Sequence, residues 1–102
     1  MTSNQQKTVK SGEDIQLPFH ILPTTTAVTR MKNGKKEFYH LAERLNMDKM
    51  VYWVGERGQA KPGGARIDVN DGVAVLRDVH ENDSGDYNVI PFEEEPLKVV
   101  VE

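Results

Sequence analysis

The sequence predicts an all-β sandwich of seven to nine strands, and three observations support this fold class. Residues 15–21 alternate, with apolar side chains at 15, 17, 19 and 21, as in a strand with one buried face. The turn sequences Asn33-Gly34 and Asn70-Asp71-Gly72 separate segments of this kind, because Asn, Asp and Gly tolerate positive φ. A length of 102 residues is that of one domain, which we assign to residues 1–102.

Composition and charge exclude several classes of partner. The net charge of −3 and the isoelectric point of about 5.6 argue against a nucleic-acid or anionic-membrane surface. No apolar run approaches the roughly 18–20 residues that a membrane helix needs. The first seven residues lack the apolar region of a signal peptide. We therefore expect a protein partner, with no nucleic acid and no membrane.

Strand and turn signals divide the chain in order. Residues 1–6 are polar and predicted to be disordered. Pro18 lies in the alternating segment and requires an unpaired side or a bulge, because its nitrogen cannot donate. The predicted strands are 7–10, 15–21, 27–32, 38–41, 49–54, 65–69, 74–79 and 97–102, and the stretch 83–89 is predicted to lead into a further strand. One or two helical turns are predicted for 41–45, and 55–64 is predicted to be a loop with four glycines.

The segment around Tyr87 carries a family resemblance. Asp83, Gly85 and Tyr87 match the Asp-x-Gly-x-Tyr-x-Cys pattern that precedes strand F of immunoglobulin domains, and Leu76 fits the apolar strand E before it. Val89 stands where that pattern has its cysteine. The chain thus resembles the immunoglobulin superfamily in its intermediate-set form. The resemblance implies an immunoglobulin-like Greek-key β-sandwich with a long insertion between strands C and D.

Both cysteine positions of the family are apolar here. Strand B of the family reads Leu-x-Cys, and Leu17 and Phe19 occupy those positions. The resemblance implies that Phe19 faces Val89 across the sandwich, within the usual contact distance of about 4.5 Å. The chain has no cysteine at all, and a domain that does without the bridge is typical of a reducing compartment. We therefore expect an intracellular, cytoplasmic protein.

Three further roles follow from the resemblance. Tyr87 is expected to form a tyrosine corner, its hydroxyl bonded to backbone a few residues upstream. Arg66 and Asp83 are expected to pair in a partly buried position, the alternative being an exposed pair of little value. Arg30 replaces the strand C tryptophan of the family. Since an arginine is not buried unpaired, either the strand shifts and Val28 fills the site or Arg30 reaches an edge.

The segment 50–54 is the most hydrophobic run outside the resemblance, with both strand faces apolar. It is the candidate interaction surface, because one face of such a strand is left for a partner. At a sheet edge it could also pair with a strand of another protein or of a second copy, forming a homodimer. Alternatively, the insertion covers the run and forms a second small core. The candidate residues are Met50, Val51, Tyr52, Trp53 and Val54.

No pattern indicates catalysis, a cofactor or a metal. His20, His40 and His80 match no zinc ligand spacing, and His20 is expected on the outward face of its strand. The sequence favours a non-enzymatic protein-interaction or structural module, similar to the disulfide-free intracellular immunoglobulin domains of muscle and cytoskeletal proteins. The alternative is a cell-surface or secreted recognition domain that has lost its disulfide. Asn82-Asp83-Ser84 is a formal glycosylation sequon, expected to be unused inside a cell.

Overall fold

A computed structural model describes residues 5–41, 53–61, 64–91 and 93–102. In this part of the chain two sheets form a β-sandwich, as predicted. The larger sheet has the order β1-β10-β9-β3-β4-β5-β6, and the smaller has the order β2-β8-β7. The strands are β1 Gln5–Val9, β2 Ile15–His20, β3 Ala27–Lys32, β4 Lys35–His40, β5 Trp53–Gly55, β6 Ala60–Lys61, β7 Arg66–Asn70, β8 Val73–Arg77, β9 Gly85–Ile90 and β10 Leu97–Val101.

The strand order is that of an immunoglobulin-like sandwich in which the larger sheet carries additional strands. β3, β9 and β10 take the places of strands C, F and G, and β2, β8 and β7 those of B, E and D. The predicted insertion between strands C and D is confirmed, since β4, β5 and β6 lie there in sequence. These strands extend the larger sheet beyond β3. The described residues form ten strands rather than the predicted seven to nine, because the predicted loop 55–64 contains β6.

Two turns have the backbone geometry that their sequences predict. Between β3 and β4, Asn33 and Gly34 have φ values of 50° and 77°. Between β7 and β8, Asp71 and Gly72 have φ values of 51° and 77°. Positive φ at both central residues is the requirement of a type I′ turn, whose twist matches that of the flanking strands.

Strand β2 shows both features predicted for it. Its side chains alternate between buried and exposed along Ile15–His20. The register against β8 shifts between Gln16 and His20, so Pro18 lies where the ladder is irregular. Because β2 is also an edge strand, the missing N–H of Pro18 leaves no central ladder incomplete.

The predicted limits of the first strand and of the strand at 49–54 differ from those in the structure. β1 starts at Gln5 and pairs in parallel with β10, so the predicted disorder of residues 1–6 is wrong for Gln5 and Gln6. Residues 1–4 lie outside the described residues, and so do residues 42–45 of the helical turns predicted for 41–45. Of the strand predicted for 49–54, the structure describes residues 53 and 54, and β5 continues to Gly55.

One apolar core fills the space between the sheets. Phe19 on β2, Leu76 on β8 and Val89 on β9 all belong to it and are buried. The two family cysteine positions therefore face the same core from opposite sheets. Direct contact between Phe19 and Val89 stays a prediction.

Candidate interaction surface

Arg30 on β3 is buried, with only 2% of its surface exposed. Its Nη1 donates to Asp83 Oδ1 at 2.7 Å and to the Tyr87 hydroxyl at 3.1 Å, and its Nε donates to Glu37 Oε1 at 2.8 Å. Burial opposes the charged form, but the interactions with Tyr87, Asp83 and Glu37 outweigh it and raise the pKa of Arg30 above its usual value. The predicted displacement of Arg30 to an edge is therefore wrong, because its side chain stays in the core, where Nε and Nη1 are both hydrogen-bonded. Val28, the other predicted occupant of the tryptophan position, is also buried, and its assignment to that position stays a prediction.

Asp83 anchors this buried cluster from the turn before β9. It is fully buried in the 3-10 turn Glu81–Asp83. Besides Arg30, it accepts hydrogen bonds from the backbone N–H groups of Ala65 and His80, each at 2.9 Å. The predicted pair between Asp83 and Arg66 is wrong. Arg66 is exposed at the start of β7, and its neighbour Ala65 reaches the carboxylate through the backbone instead.

Tyr87 forms the predicted tyrosine corner. Its hydroxyl donates to the carbonyl oxygen of Asp83, four residues upstream, at 2.6 Å. Burial raises the pKa of Tyr87 to about 12, although the neighbouring Arg30 acts in the opposite direction. Among the described residues, no buried side-chain nitrogen or oxygen lacks a hydrogen-bond partner. The cluster therefore avoids the penalty of an unsatisfied buried polar group.

Trp53 is a core residue, which corrects its assignment to the interaction surface. It is 1% exposed, and its Nε1 donates to the carbonyl oxygen of Ala65 at 2.8 Å. Its ring packs edge-on against Tyr39 and Tyr87, with centroids 5.3 and 5.8 Å apart, and the Arg30 guanidinium lies 4.0 Å from the ring centroid. β5 thus supplies a core tryptophan beside the β3 position where the family carries one. Sequence reasoning missed this cluster, although an arginine at a tryptophan position was a signal for it.

The edge-strand hypothesis is also wrong for the described part of 50–54. β5 pairs with β4 on one side and with β6 on the other, so it is not an edge strand. Met50, Val51 and Tyr52 lie outside the described residues. Val54 is half-buried, and it neighbours Phe38 of β4 in the sheet register. It faces away from the core, because Trp53 and Gly55 on either side of it are buried.

Val54 belongs to a partly apolar area on the outer face of the larger sheet, which we call the outer patch. Its other members are Met31, which is 40% exposed, and the half-buried Phe38 and His40. The rings of Phe38 and His40 stack with centroids 6.1 Å apart, and Lys36 Nζ lies 6.0 Å from the Phe38 centroid. The structure therefore places one of the five predicted surface residues on an accessible face, together with side chains that sequence reasoning had not selected.

The remaining candidates from the sequence are the histidines and the glycosylation sequon at Asn82. His20 is exposed on β2, as predicted. In the described ranges no group of three His, Asp or Glu side chains could hold a metal ion. Those ranges also contain no helix long and apolar enough to cross a membrane. Asn82 of the sequon is exposed, and its carbonyl oxygen accepts a hydrogen bond from Lys32.

Comparison with known proteins identifies the fold. No model of a protein family matches the chain, and no curated protein matches it. The solution structure of the first Ig-like domain from human CD48 antigen superimposes with a TM-score of 0.51. The two are 16% identical, and the match covers 97% of this chain and 82% of that chain. This chain therefore has the fold of an immunoglobulin-like domain, built without any cysteine.

Proposed function

We propose that this chain is a non-enzymatic protein-interaction module that binds its partner through the outer patch. The observation behind the proposal is the exposure of Met31 on the sheet face that also carries Phe38 and Val54, which are cross-strand neighbours. Apolar and aromatic side chains on a rigid surface are the usual centre of a protein interface, because their desolvation drives association at little entropic cost. The immunoglobulin-like fold supports the general class, while the patch indicates the surface.

The outer patch can be tested with a photo-crosslinking amino acid at a single position. Placed at Met31, it is expected to capture one partner from a native extract. Placed at Gln16, which is exposed on the smaller sheet, it is expected to capture none. Met31→Glu and Phe38→Glu should abolish capture from a crosslinker at Val54. Met31→Glu should keep the unfolding free energy within about 1 kcal/mol of the parent, since Met31 is exposed. Phe38 is half-buried, so urea unfolding must show that Phe38→Glu is folded before its loss of capture counts.

Two results would contradict this assignment. Equal capture from positions 16 and 31 would mean that crosslinking reports random encounters. Capture from position 16 alone would move the interface to the smaller sheet. Gln16→Glu is the matched control for Met31→Glu and Phe38→Glu, because it adds the same charge on the opposite face of the sandwich.

The proposed module is of the intracellular type. Support comes from Phe19 and Val89, which fill the two disulfide positions of the family with hydrocarbon inside one core. A domain that is stable without the bridge can fold under reducing conditions. The second candidate is a cell-surface or secreted recognition domain. It is supported by the likeness to a domain of CD48 antigen and by the exposed Asn82 of the sequon.

Localisation of the full-length product from its natural gene distinguishes the two candidates. An intracellular module is expected to remain in the cytosolic fraction with one electrophoretic mobility. A secreted or surface domain that uses the sequon would shift in mobility after glycosidase treatment, and Asn82→Gln would abolish that shift. Such a shift would refute the intracellular assignment and leave the interaction surface untouched.

A further inference from the structure

A cavity of about 340 Å³ opens at the ends of β4 and β5 that lie next to their hairpin turns. It adjoins the buried Arg30 cluster, with which it shares Glu37. It also adjoins the outer patch, because Lys36 lines the cavity while its Nζ lies 6.0 Å from the centroid of the Phe38 ring. A partner bound to the patch would therefore have this cavity beside it.

Three cationic side chains line the cavity, namely Lys35, Lys36 and Arg57. Within the described residues none of the three takes part in an ion pair, whereas the exposed Arg77 is paired with Asp14 and Asp68. These three residues come from two different hairpins and line one cavity. In a protein with net charge −3, such a local excess of cations favours an anionic ligand.

The carboxylates of the cavity define which anion fits. Glu37 Oε1 accepts a hydrogen bond from Arg30 Nε at 2.8 Å, and the Glu37 side chain is only 13% exposed. Its charge is therefore compensated by Arg30 and contributes little repulsion to an anion in the cavity. Glu56 also lies in the lining. A single carboxylate tolerates this neighbour better than a phosphate or sulfate of higher charge. Lys35 and Lys36 offer point charges, and the Arg57 guanidinium offers a fork that matches the two oxygens of a carboxylate.

We propose that this cavity binds the side-chain carboxylates of an acidic peptide segment in a protein partner. Lys36 and Arg57 contribute the attraction from two sides, and the apolar ring of Phe38 borders the site. The inference rests on the proposed function only in taking the partner to be a protein. The ligand is then a segment with glutamate or aspartate next to an apolar residue that contacts the outer patch.

The test is a titration of the isotopically labelled domain with a hexaglutamate peptide, followed by amide chemical shifts. We expect saturable shifts at residues 35–37 and 55–59, which weaken from 20 to 150 mM salt because exposed charges are screened. The double variant Lys36→Gln/Arg57→Gln is expected to raise the Kd about tenfold or more. The control Lys7→Gln/Lys10→Gln removes the same charge from the β1 region and should leave the Kd within about twofold.

Parallel titrations with inorganic phosphate and with a heparin oligosaccharide examine the competing anions. If either binds these residues more tightly than hexaglutamate does, the assignment to an acidic peptide is wrong. If hexaglutamate shifts other residues, or none, the cavity is not its site. Lys36→Gln/Arg57→Gln is also combined with the crosslinker at Met31. Continued capture there, without hexaglutamate binding, would overturn the cavity inference and leave the proposed function standing.

Discussion

Replacing the buried Arg30 by methionine is expected to destabilise the domain by about 3–5 kcal/mol. Methionine fills a similar volume but leaves Asp83 as an uncompensated buried charge, and breaking a buried ion pair on one side costs about this much. Domains of this size have about 5–15 kcal/mol of total stability. The melting temperature should therefore fall by roughly 15–30 °C. A double variant, Arg30→Met/Asp83→Asn, should cost less than the sum of its single changes, because an uncharged asparagine side chain at position 83 is cheaper to bury.

Arg77 provides a matched control within the same chain. Like Arg30, it contacts two carboxylates, with Nη1 2.9 Å from Asp14 and Nε 3.0 Å from Asp68. Unlike Arg30, it is 48% exposed. Exposed ion pairs add little to stability because water screens them, so Arg77→Met is expected to leave the unfolding free energy nearly unchanged. The comparison isolates burial, since residue type and number of carboxylate partners are equal.

The measurement is urea unfolding followed by the fluorescence of Trp53, the sole tryptophan, whose ring is stacked by Arg30. Circular dichroism on the same samples checks that the transition is two-state. Equal losses for Arg30→Met and Arg77→Met, or a loss below about 1 kcal/mol for Arg30→Met, would refute the reasoning that the buried cluster is a main determinant of stability.

Three further predictions concern the core. Phe19→Ala should cost about 3–5 kcal/mol in urea unfolding by leaving a cavity, and a loss below about 1 kcal/mol would mean that Phe19 does not fill the disulfide position. Tyr87→Phe should cost about 0.5–1.5 kcal/mol. The pKa of Tyr87 is raised from 10 to about 12 on folding, so the folded state holds the Tyr87 proton up to a higher pH than the unfolded state does. Wild-type stability should therefore be complete below about pH 10 and fall by roughly 2–3 kcal/mol towards pH 12, and Tyr87→Phe should lack this decline. Gly64→Ala would bring the new Cβ into steric overlap with Trp53 Cδ1. The substitution should therefore destabilise the domain by about 1–3 kcal/mol and shift the tryptophan emission. Unchanged emission and stability would argue against this packing.

Local sequence determined those features of the fold that depend on backbone geometry and alternation. Asn33-Gly34 specified its hairpin, because few other pairs adopt positive φ at both positions without strain. The alternation of Ile15–His20 specified which face of β2 is buried, since a one-residue slip would expose the whole apolar set. The motif around Tyr87 indicated the hydroxyl bond to backbone, a contact between residues four apart.

Long-range pairing was decided only by the tertiary structure. Asp83 lies 53 residues from Arg30 and 17 from Arg66, and both arginines are plausible partners in the sequence. Likewise, a run with two apolar faces fits a surface strand or a core strand equally well. Trp53 is buried because β5 lies between β4 and β6 with this side chain on the inner face of the sheet, where Ala65 accepts the hydrogen bond from its indole.

The candidate sites follow the same division. The sequence alone predicted an all-β domain, and the absence of cysteine determined that its core does without a disulfide. It could not place the outer patch or the cation-lined cavity, because these combine side chains from separate hairpins. Lys36 and Arg57, 21 positions apart, line the same cavity because β4 and β5 pair in one register. Side-chain alternation is a local property, whereas adjacency of strands depends on the packing free energy of the whole domain.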